Sequence, residues 1–344
     1  SARALAGRCG RVEYYVFTLG WKCMKLVDLY VELKGDMETI ERELEQSIDP
    51  RTRELYQSSV HLLKAGGKRL RPIFVLLGGK WGEYDLERLK HVAVPLELIH
   101  MATLVHDDVV DDADKRRGRE TVRAKWDNRI AMYTGDYIFA RALTIATRLA
   151  DPRIHQILSR AIVEMCKGEI EQVRDLNNWN QGLKHYLRRI KRKTALLIAI
   201  SCQLGAIASR ASEERIRSLY QYGYNVGMAF QIADDLLDFT ATEKQLGKPV
   251  GSDLRQGNIT LPALYSLWFG RERNRLRRWI EQDKLKDHLD EAIALIRTGE
   301  GIAYARALAE RYLERAKRAL AGLPDNSAKR SLLGIADFII ERNF

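Results

Sequence analysis

Apolar residues recur every three to four positions along most of this chain, which is the spacing of amphipathic helices. The segment 24–48 is one example, and its apolar positions are Leu26, Leu29, Val31, Leu33, Ile40 and Leu44. The same spacing predicts helices over 55–63, 73–81, 86–112, 126–149, 154–174, 183–210 and 213–240, with three or four more after Leu261. No run of strand-like alternation appears. The pattern predicts an all-α protein.

Glycine, proline and polar clusters mark the breaks between these helices. Asp49-Pro50 ends the first helix, and Gly66-Gly67 precedes the third. Pro95 is expected to open a second segment within 86–112, because proline is favoured in the first turn of a helix. The charged stretch 113–123 and the glycine-containing stretch 241–258 are predicted to be loops.

Composition limits the classes of protein that are possible. Glycine (24) and proline (7) are scarce among the 344 residues, and no linker-like tract appears. We therefore predict one folded domain, 24–344, preceded by a non-native or upstream extension, 1–23. Four cysteines without metal-ligand spacing suggest a reducing, cytoplasmic environment. The longest uncharged apolar stretch, 194–209, is too short and too polar to span a membrane.

A formal net charge of +11 indicates an anionic partner. Nucleic acid, an anionic membrane surface and a phosphorylated small molecule all fit this charge.

Two aspartate clusters of the form D-D-x-x-D lie within apolar helical segments. They consist of Asp107, Asp108 and Asp111, and of Asp234, Asp235 and Asp238. Positions four apart on a helix are neighbours, so the first and last aspartate of each cluster are expected to face the same way. Two such charges about 5 Å apart repel by roughly 3 kcal/mol at an effective dielectric constant near 20. The clusters therefore predict a bound divalent cation, and Mg²⁺ is typically held by carboxylates and substrate phosphates.

A single cluster of this kind would be weak evidence, because acidic pairs are also common at helix termini. Two clusters in apolar surroundings favour a catalytic role. Basic residues lie before the clusters at Lys68-Arg69-Leu70-Arg71 and Lys193, and after them at Arg116-Arg117 and Lys248. Arginine binds phosphate as a fork and lysine as a point charge. This combination suits a diphosphate bridged by metal better than it suits DNA.

Six segments in this order resemble the trans-polyprenyl diphosphate synthase family: GGKRLRP, ELIHMATLVHDDVVDDADKRRG, GDYIFARAL, RKTALL, FQIADDLLD and GSDLRQGNITLP. The resemblance covers the chain from about residue 24 to the end. It implies an isoprenoid-synthase-type helical bundle around a central cavity. It also implies a prenyltransferase that elongates an allylic diphosphate with isopentenyl diphosphate.

The family's residue roles can be placed on this sequence. The resemblance implies that Asp107, Asp108 and Asp111 hold Mg²⁺ on the allylic diphosphate. It also implies that Asp234, Asp235 and Asp238 hold a further Mg²⁺ from the opposite wall. Lys68, Arg71, His100 and Arg117 would bind isopentenyl diphosphate, and Arg116, Lys193, Thr194, Gln231 and Lys248 would contact the allylic diphosphate. Outside this resemblance, a histidine on an apolar helix face such as His100 is more often structural, and we interpret His106 in that way. Asn258 stands where many relatives have a lysine, so it is given no diphosphate contact.

Product length depends on the side chains one turn before Asp107. Ala102 and Thr103 lie five and four residues earlier, about 6 to 7.5 Å along the helix axis. Their small size predicts an open path for a long product. Within the family, the resemblance is to the catalytic component of two-component enzymes, which implies a C35 product, a smaller second subunit and a menaquinone side chain. A self-sufficient homodimer making C40–C45 products remains the alternative.

Two other functions are compatible with parts of the sequence. A basic nucleic-acid binder would use the stretches 184–193 and 271–278, which are more often solvated helix faces. A further interpretation is that these stretches contact a partner subunit. They would equally fit an anionic membrane surface, where a lipid product leaves. A terpene cyclase or a non-catalytic subunit would be expected to lack one aspartate cluster or the basic turn. This chain has both.

Overall fold

The computed structural model describes residues 24–116, 118–243 and 249–341. The predicted all-α class is confirmed, since 77% of the chain is helical. The predicted 1–23 extension, Arg117 and Lys248 lie outside the described residues.

The helices before the second aspartate cluster follow the predicted order closely. They are α1 (Met24–Gln46), α2 (Arg53–Lys64), α3 (Leu70–Gly79), α4 (Leu86–Val110), α5 (Val122–Lys125), α6 (Asn128–Ala146), α7 (Pro152–Arg174), α8 (Leu183–Ile190) and α9 (Leu196–Ala208). A π-helical segment, Lys191–Ala195, joins α8 to α9.

The second aspartate cluster lies on α10 (Glu213–Thr240). It is followed by α11 (Ser252–Arg255), α12 (Leu261–Phe269), α13 (Arg273–Glu281), a 3₁₀ turn (Leu285–His288), α14 (Leu289–Thr298), α15 (Glu300–Leu320) and α16 (Ser327–Glu341).

Three local predictions were wrong. The stretch 241–258, predicted to be a loop, contains the short helix α11. Pro95 does not open a second helix; it lies inside the continuous helix α4, where burial on the core side holds the helix together despite the missing N–H. The stretch 113–123 is also more ordered than a loop. It contains an antiparallel pair of two-residue strands, β1 (Lys115–Arg116) and β2 (Arg119–Glu120), in which Arg116 is opposite Arg119.

By their contacts, the residues group into two compact units. Of the described residues, the first unit takes those within 24–156, 201–219 and 323–335. Its core is centred on α4, which packs against α3 and α6. Helices α3 and α9 approach closely at two glycines. A Cβ atom on Gly78 would lie 2.4 Å from the carbonyl oxygen of Cys202, and one on Gly205 would lie 2.1 Å from that of Val75.

The second unit contains the residues within 157–200, 220–322 and 336–341. One of its apolar clusters joins α12, α13 and α14 through Leu267, Leu276, Trp279 and Ala292.

The uncharged stretch 194–209, predicted to be a core helix, is buried along nearly its whole length. Among the described residues, no helix is both long enough and apolar enough to cross a membrane.

Candidate active site

The first aspartate cluster lies at the C-terminal end of α4 in the first unit. Asp107 is partly exposed, Asp108 is buried and Asp111 is exposed. The helix ends at Val110, two residues before the predicted end, and Asp112 adopts a left-handed conformation with φ of 50°. The N–H of Asp111 still donates to the carbonyl oxygen of Asp107 at 2.8 Å, so the two residues remain one turn apart.

Asp108 is the buried member of this cluster, at 2% exposure. Arg116 Nε donates to Asp108 Oδ1 at 2.7 Å. Burial raises the pKa of Asp108 and the Arg116 guanidinium opposes this shift, while Asp107 and Asp111 raise the pKa further. Asp108 therefore anchors the hairpin that follows, and its more exposed neighbours offer oxygens toward solvent.

The β1–β2 hairpin is fixed to the end of α2 by two hydrogen bonds. Arg119 Nη1 donates to the carbonyl oxygen of Lys64 at 2.6 Å, and His61 Nε2 bonds to the carbonyl oxygen of Glu120 at 2.8 Å. Arg119 thereby satisfies a carbonyl that the end of the helix leaves unpaired. The hairpin places Arg116 beside Asp108; Arg117, the next residue, lies outside the described residues.

The basic turn between α2 and α3 separates its three cations. Lys68 and Arg71 are partly exposed, as expected of ligand-binding residues, whereas Arg69 is buried at 4% exposure. Gly66 has φ of +76°, the left-handed region that glycine adopts without strain. A small cavity of about 20 Å³ is lined in part by Gly66, His100 and Arg116. The structure thus brings the basic turn, His100 and the hairpin together.

The second aspartate cluster lies near the C-terminal end of α10 in the second unit. Asp234 is exposed, whereas Asp235 and Asp238 are buried, at 4% and 1% exposure. The first and last aspartate, one helical turn apart, therefore differ in accessibility. The reason is tertiary: the chain returns at α11, where Ser252 Oγ and the N–H of Asp253 donate to Asp238 at 3.0 and 3.1 Å.

Asp235 accepts two hydrogen bonds within the second unit. Tyr186 Oη donates to Oδ2 at 2.6 Å, and Gln231 Nε2 donates to Oδ1 at 2.9 Å. Burial and the nearby Asp253 carboxylate nevertheless raise the pKa of Asp235 to about 7, although both hydrogen bonds favour the charged form. Because the pKa of Asp235 is raised in the folded protein, the free energy of unfolding falls as the pH rises from the ordinary aspartate pKa of 3.8 toward about 7. A nearby cation would reduce that loss.

Lys193, Thr194 and Gln231, predicted to contact the allylic diphosphate, lie close to one another. Lys193 Nζ donates to Gln172 Oε1 at 2.8 Å, and Thr194 Oγ1 donates to Gln231 Oε1. Lys193 and Thr194 are part of the π-helical segment, a departure from α-helix that is frequent at functional sites. A Cβ atom on Gly227 would lie 2.5 Å from Ala195 Cα, so glycine lets α10 approach this segment.

The two residues predicted to control product length differ in their surroundings. Ala102 has 0% exposure and is packed in the core. Thr103 is partly exposed, and its Oγ1 donates to the carbonyl oxygen of His100 at 2.8 Å. Thr103 therefore has more room for a larger side chain.

The structure adds four residues to the candidate site that the sequence did not single out. They are Gln172, Tyr186, Ser252 and Asp253, each in contact with, or electrostatically coupled to, a predicted site residue. Ser252 and Asp253 lie in the GSDLRQGNITLP segment, so the family resemblance already pointed to that part of the chain. Gln172 and Tyr186 lie outside the six segments, and only packing brings them to Lys193 and Asp235.

His106, interpreted as structural, lies beside α6. Its Nε2 is 3.3 Å from the carbonyl oxygen of Met132 and 3.3 Å from Asp136 Oδ1. A Cβ atom on Gly135 would lie 2.2 Å from that nitrogen, so the ring packs directly against the α6 backbone.

The basic stretch 184–193 is not simply a solvated face. Arg189 is buried and donates to Gln181 Oε1 and to the carbonyl oxygen of Ile259. Arg192 forms ion pairs with Glu164 and Glu171 at 2.8 and 2.6 Å. Arg189 is therefore turned into the protein and the charge of Arg192 is neutralised within it, which weakens the nucleic-acid alternative.

The donor set of both clusters fits a hard divalent cation. Within the described residues, no three histidine, cysteine or carboxylate side chains form a preformed metal cage. However, aspartates at each cluster raise the pKa of a buried neighbour, so negative charge there is incompletely compensated. Carboxylate oxygens are the ligands that Mg²⁺ and Ca²⁺ prefer, and Mg²⁺ commonly completes its shell with water and substrate phosphate.

A family model described as polyprenyl synthetase matches residues 52–296. The chain belongs to the polyprenyl synthetase family. Members of this family are metal-dependent prenyltransferases. Two curated relatives named heptaprenyl diphosphate synthase component 2 are similar along 93% of the chain. The protein from Bacillus subtilis (strain 168) is 54% identical over 92% of its own length, and that from Geobacillus stearothermophilus is 53% identical over 100%.

Solved structures of the family share the fold. Heptaprenyl diphosphate synthase from Staphylococcus aureus matches with a TM-score of 0.86 and 45% identity, over 91% of this chain and 99% of that one. A polyprenyl synthase from Caulobacter crescentus CB15, complexed with calcium and isoprenyl diphosphate, matches with a TM-score of 0.85 and 32% identity, over 92% and 97%. The all-α isoprenoid synthase fold implied by the resemblance is thereby confirmed.

Replacing Tyr186 with phenylalanine is expected to destabilise this polyprenyl synthetase by about 1.5 to 3 kcal/mol, because it removes a hydrogen bond to a buried carboxylate. Urea unfolding at pH 8 with a chelator measures this loss while Asp235 is mostly ionised. Tyr265→Phe is the control, since its partly exposed ring stacks on Tyr304 and, among the described residues, its hydroxyl donates to no carboxylate. Equal losses in the two variants would show that Tyr186 does not stabilise the Asp235 carboxylate.

Proposed function

We propose that this chain elongates an allylic diphosphate, with farnesyl diphosphate as primer, by successive addition of isopentenyl diphosphate to a C35 heptaprenyl diphosphate. The observation that carries the proposal is 53–54% identity over 92–100% of two proteins named heptaprenyl diphosphate synthase component 2. The two aspartate clusters, each close to cationic or amide side chains, support the same chemistry.

Mg²⁺ is the proposed metal, held by the six aspartates of the two clusters. Asp107, Asp111 and Asp234 are the more exposed members and the best placed to give oxygens directly. Asp108, Asp235 and Asp238 accept hydrogen bonds from Arg116, Tyr186 and Ser252, which holds the clusters in shape. When bound, the metal supplies positive charge to the departing diphosphate.

The protein's own cations complete the two proposed diphosphate sites. Lys68, Arg71 and His100 would bind isopentenyl diphosphate, together with Arg117. Arg116, Lys193, Thr194 and Gln231 would bind the allylic diphosphate, together with Lys248. The contact of Thr194 with Gln231 supports part of the second grouping.

Prenyl transfer needs no nucleophile from the protein. Cationic side chains stabilise the negative charge that develops on the allylic diphosphate as its C–O bond breaks. The double bond of isopentenyl diphosphate then attacks the allylic cation, and a proton leaves the condensed chain for the released diphosphate. The role of the protein is to bind and orient both diphosphates so that the reacting carbons meet.

We further propose that this chain is the catalytic subunit of a two-component enzyme with a smaller partner, since both relatives carry the name component 2. A cytoplasmic location is proposed as well, with peripheral membrane contact at most for product release and menaquinone as the end use. Cys166 and Cys202 are free thiols, which supports a reducing compartment.

The test is an assay of the purified chain with farnesyl diphosphate, labelled isopentenyl diphosphate and Mg²⁺. We expect a C35 product only when the partner is added, and no product when Mg²⁺ is chelated. Robust C40–C45 product from the chain alone would replace the two-component proposal with the self-sufficient homodimer. No elongation under either condition would overturn the proposed activity itself.

A further inference from the structure

Arg69 lies in the middle of the basic turn, yet its guanidinium is directed into the protein. Arg69 Nε donates to Glu41 Oε1 at 2.6 Å, and Nη1 donates to Glu97 Oε1 at 3.1 Å. A third bond runs from Nη2 to the carbonyl oxygen of Leu63 at 3.3 Å. One side chain at the start of α3 therefore ties together α1, α2 and α4.

The backbone at Arg69 is strained. Its φ of 47° is in the left-handed region, which residues other than glycine, asparagine and aspartate rarely adopt. Such a conformation persists only where surrounding contacts enforce it, and it is concentrated at functional sites. Here the two carboxylates hold the guanidinium while the chain turns from Lys68 into the first turn of α3, where Arg71 lies.

Glu97 is the most buried member of this network, at 2% exposure. Its Oε1 accepts from Arg69, but no group among the described residues donates a hydrogen bond to its Oε2. A buried carboxylate oxygen without a donor lowers stability, and buried ion pairs in general are weak evidence for a stabilising role. The stability of the fold alone therefore does not explain why a charged residue is buried at position 97.

The surroundings of Glu97 indicate its role. Glu97 is three residues before His100 on α4, so the two lie on one face of the helix. Both line the small cavity that Arg69, Gly66 and Arg116 also line. The buried pair therefore lines the same cavity as His100, one of the proposed isopentenyl diphosphate contacts.

We propose that Arg69 and Glu97, supported by Glu41, are positioning residues for isopentenyl diphosphate. They touch no substrate; they fix the turn that carries Lys68 and Arg71 relative to His100. This inference rests on the proposed function and adds that one of the two diphosphate sites depends on a buried ion pair. Loss of the pair weakens the binding of isopentenyl diphosphate much more than that of the allylic diphosphate.

The test compares the KM values for the two substrates in three variants. Glu97→Gln keeps the shape of the side chain and removes its charge, and we expect it to raise the KM for isopentenyl diphosphate about tenfold. The KM for the allylic diphosphate should stay within about twofold of wild type, since Arg116 lines this cavity but the proposed contacts Lys193, Thr194 and Gln231 do not. Glu41→Gln, at a more exposed site, should give a smaller rise of about threefold and remains informative if Glu97→Gln does not fold.

Glu43→Gln is the matched control. Glu43 also lies on α1 and pairs with Lys90 of α4 at 2.9 Å, but it does not contact the basic turn. We expect both KM values to be unchanged in this variant.

A double variant, Arg69→Met with Glu97→Leu, separates positioning from stability. It removes the charges of Arg69 and Glu97 together and should recover most of the thermal stability that either charge alone would lose, since the remaining Glu41 is partly exposed to solvent. The KM for isopentenyl diphosphate should remain about tenfold raised, because the turn is no longer fixed. A stable double variant with a wild-type KM would overturn the proposal.

Two other results are decisive. Equal changes in both KM values, or none in folded Glu97→Gln and Glu41→Gln, would also overturn the positioning role. Absence of elongation by the wild-type enzyme, with its partner present, would overturn the proposed function and the positioning role with it. Normal wild-type elongation with unaltered variants would overturn the positioning role alone.

Discussion

Replacing Asp107 or Asp234 with asparagine is expected to lower kcat by about 100-fold to 1,000-fold, the range seen when one group that stabilises developing charge is removed. Both residues are among the accessible members of their clusters, so each is expected to give an oxygen to the metal. Asparagine keeps the shape and one oxygen but removes the negative charge. The measurement is steady-state turnover of labelled isopentenyl diphosphate across a Mg²⁺ titration.

Asp114→Asn is the control for this first prediction. Asp114 lies just after the first cluster and is exposed, with an ion pair to Arg123 at 3.1 Å. Exposed ion pairs contribute little to stability, so kcat and the Mg²⁺ dependence should stay close to wild type. If Asp107→Asn or Asp234→Asn behaved like this control, the assignment of these two aspartates to the metal site would be wrong.

Replacing Thr103 with phenylalanine is expected to shorten the product from C35 to C15–C20. Thr103 lies four residues before Asp107, about 6 Å along the axis of α4, and it is partly exposed. An aromatic ring there would block the predicted path of the growing chain. Chromatography of the dephosphorylated products measures chain length directly.

Thr144→Phe is the matched control for this second prediction. Thr144 lies on α6, is exposed, and like Thr103 donates its hydroxyl hydrogen to a carbonyl in the preceding turn. Its product should remain C35. Ala102→Tyr is less informative, because Ala102 has 0% exposure and overpacking there costs about 1 to 3 kcal/mol of stability. Unchanged chain length in an active Thr103→Phe enzyme would contradict the path along α4.

The order of the long helices could be predicted from the sequence because their apolar periodicity is strong. Helix α10 begins and ends at the predicted residues, and α1 and α7 differ from their predictions by at most two residues at either end. The errors occurred where local rules compete with packing. Proline usually marks the start of a helix. At Pro95, however, the buried apolar face of α4 keeps the helix continuous although one backbone hydrogen bond is missing.

In the site, residue types could be predicted but their accessibility could not. The cations Lys68, Arg69 and Arg71 look equivalent in the sequence, yet only Arg69 is buried against Glu41 and Glu97. The aspartates of the second cluster look equivalent as well, but α11 covers Asp238. Both differences depend on segments that are distant in the chain, and periodicity within one helix contains no information about them.

By itself, the sequence determined the all-α class, the positions of both aspartate clusters and the chemistry that two groups of carboxylates beside cations can perform. These are local properties, set by side-chain type and by helical spacing. Only the tertiary structure decided which of these charges face solvent and which hold the site in shape. Burial depends on what packs against a residue, and at Arg69, Asp108, Asp235 and Asp238 the neighbours that neutralise or cover the charge include residues from other elements of the fold.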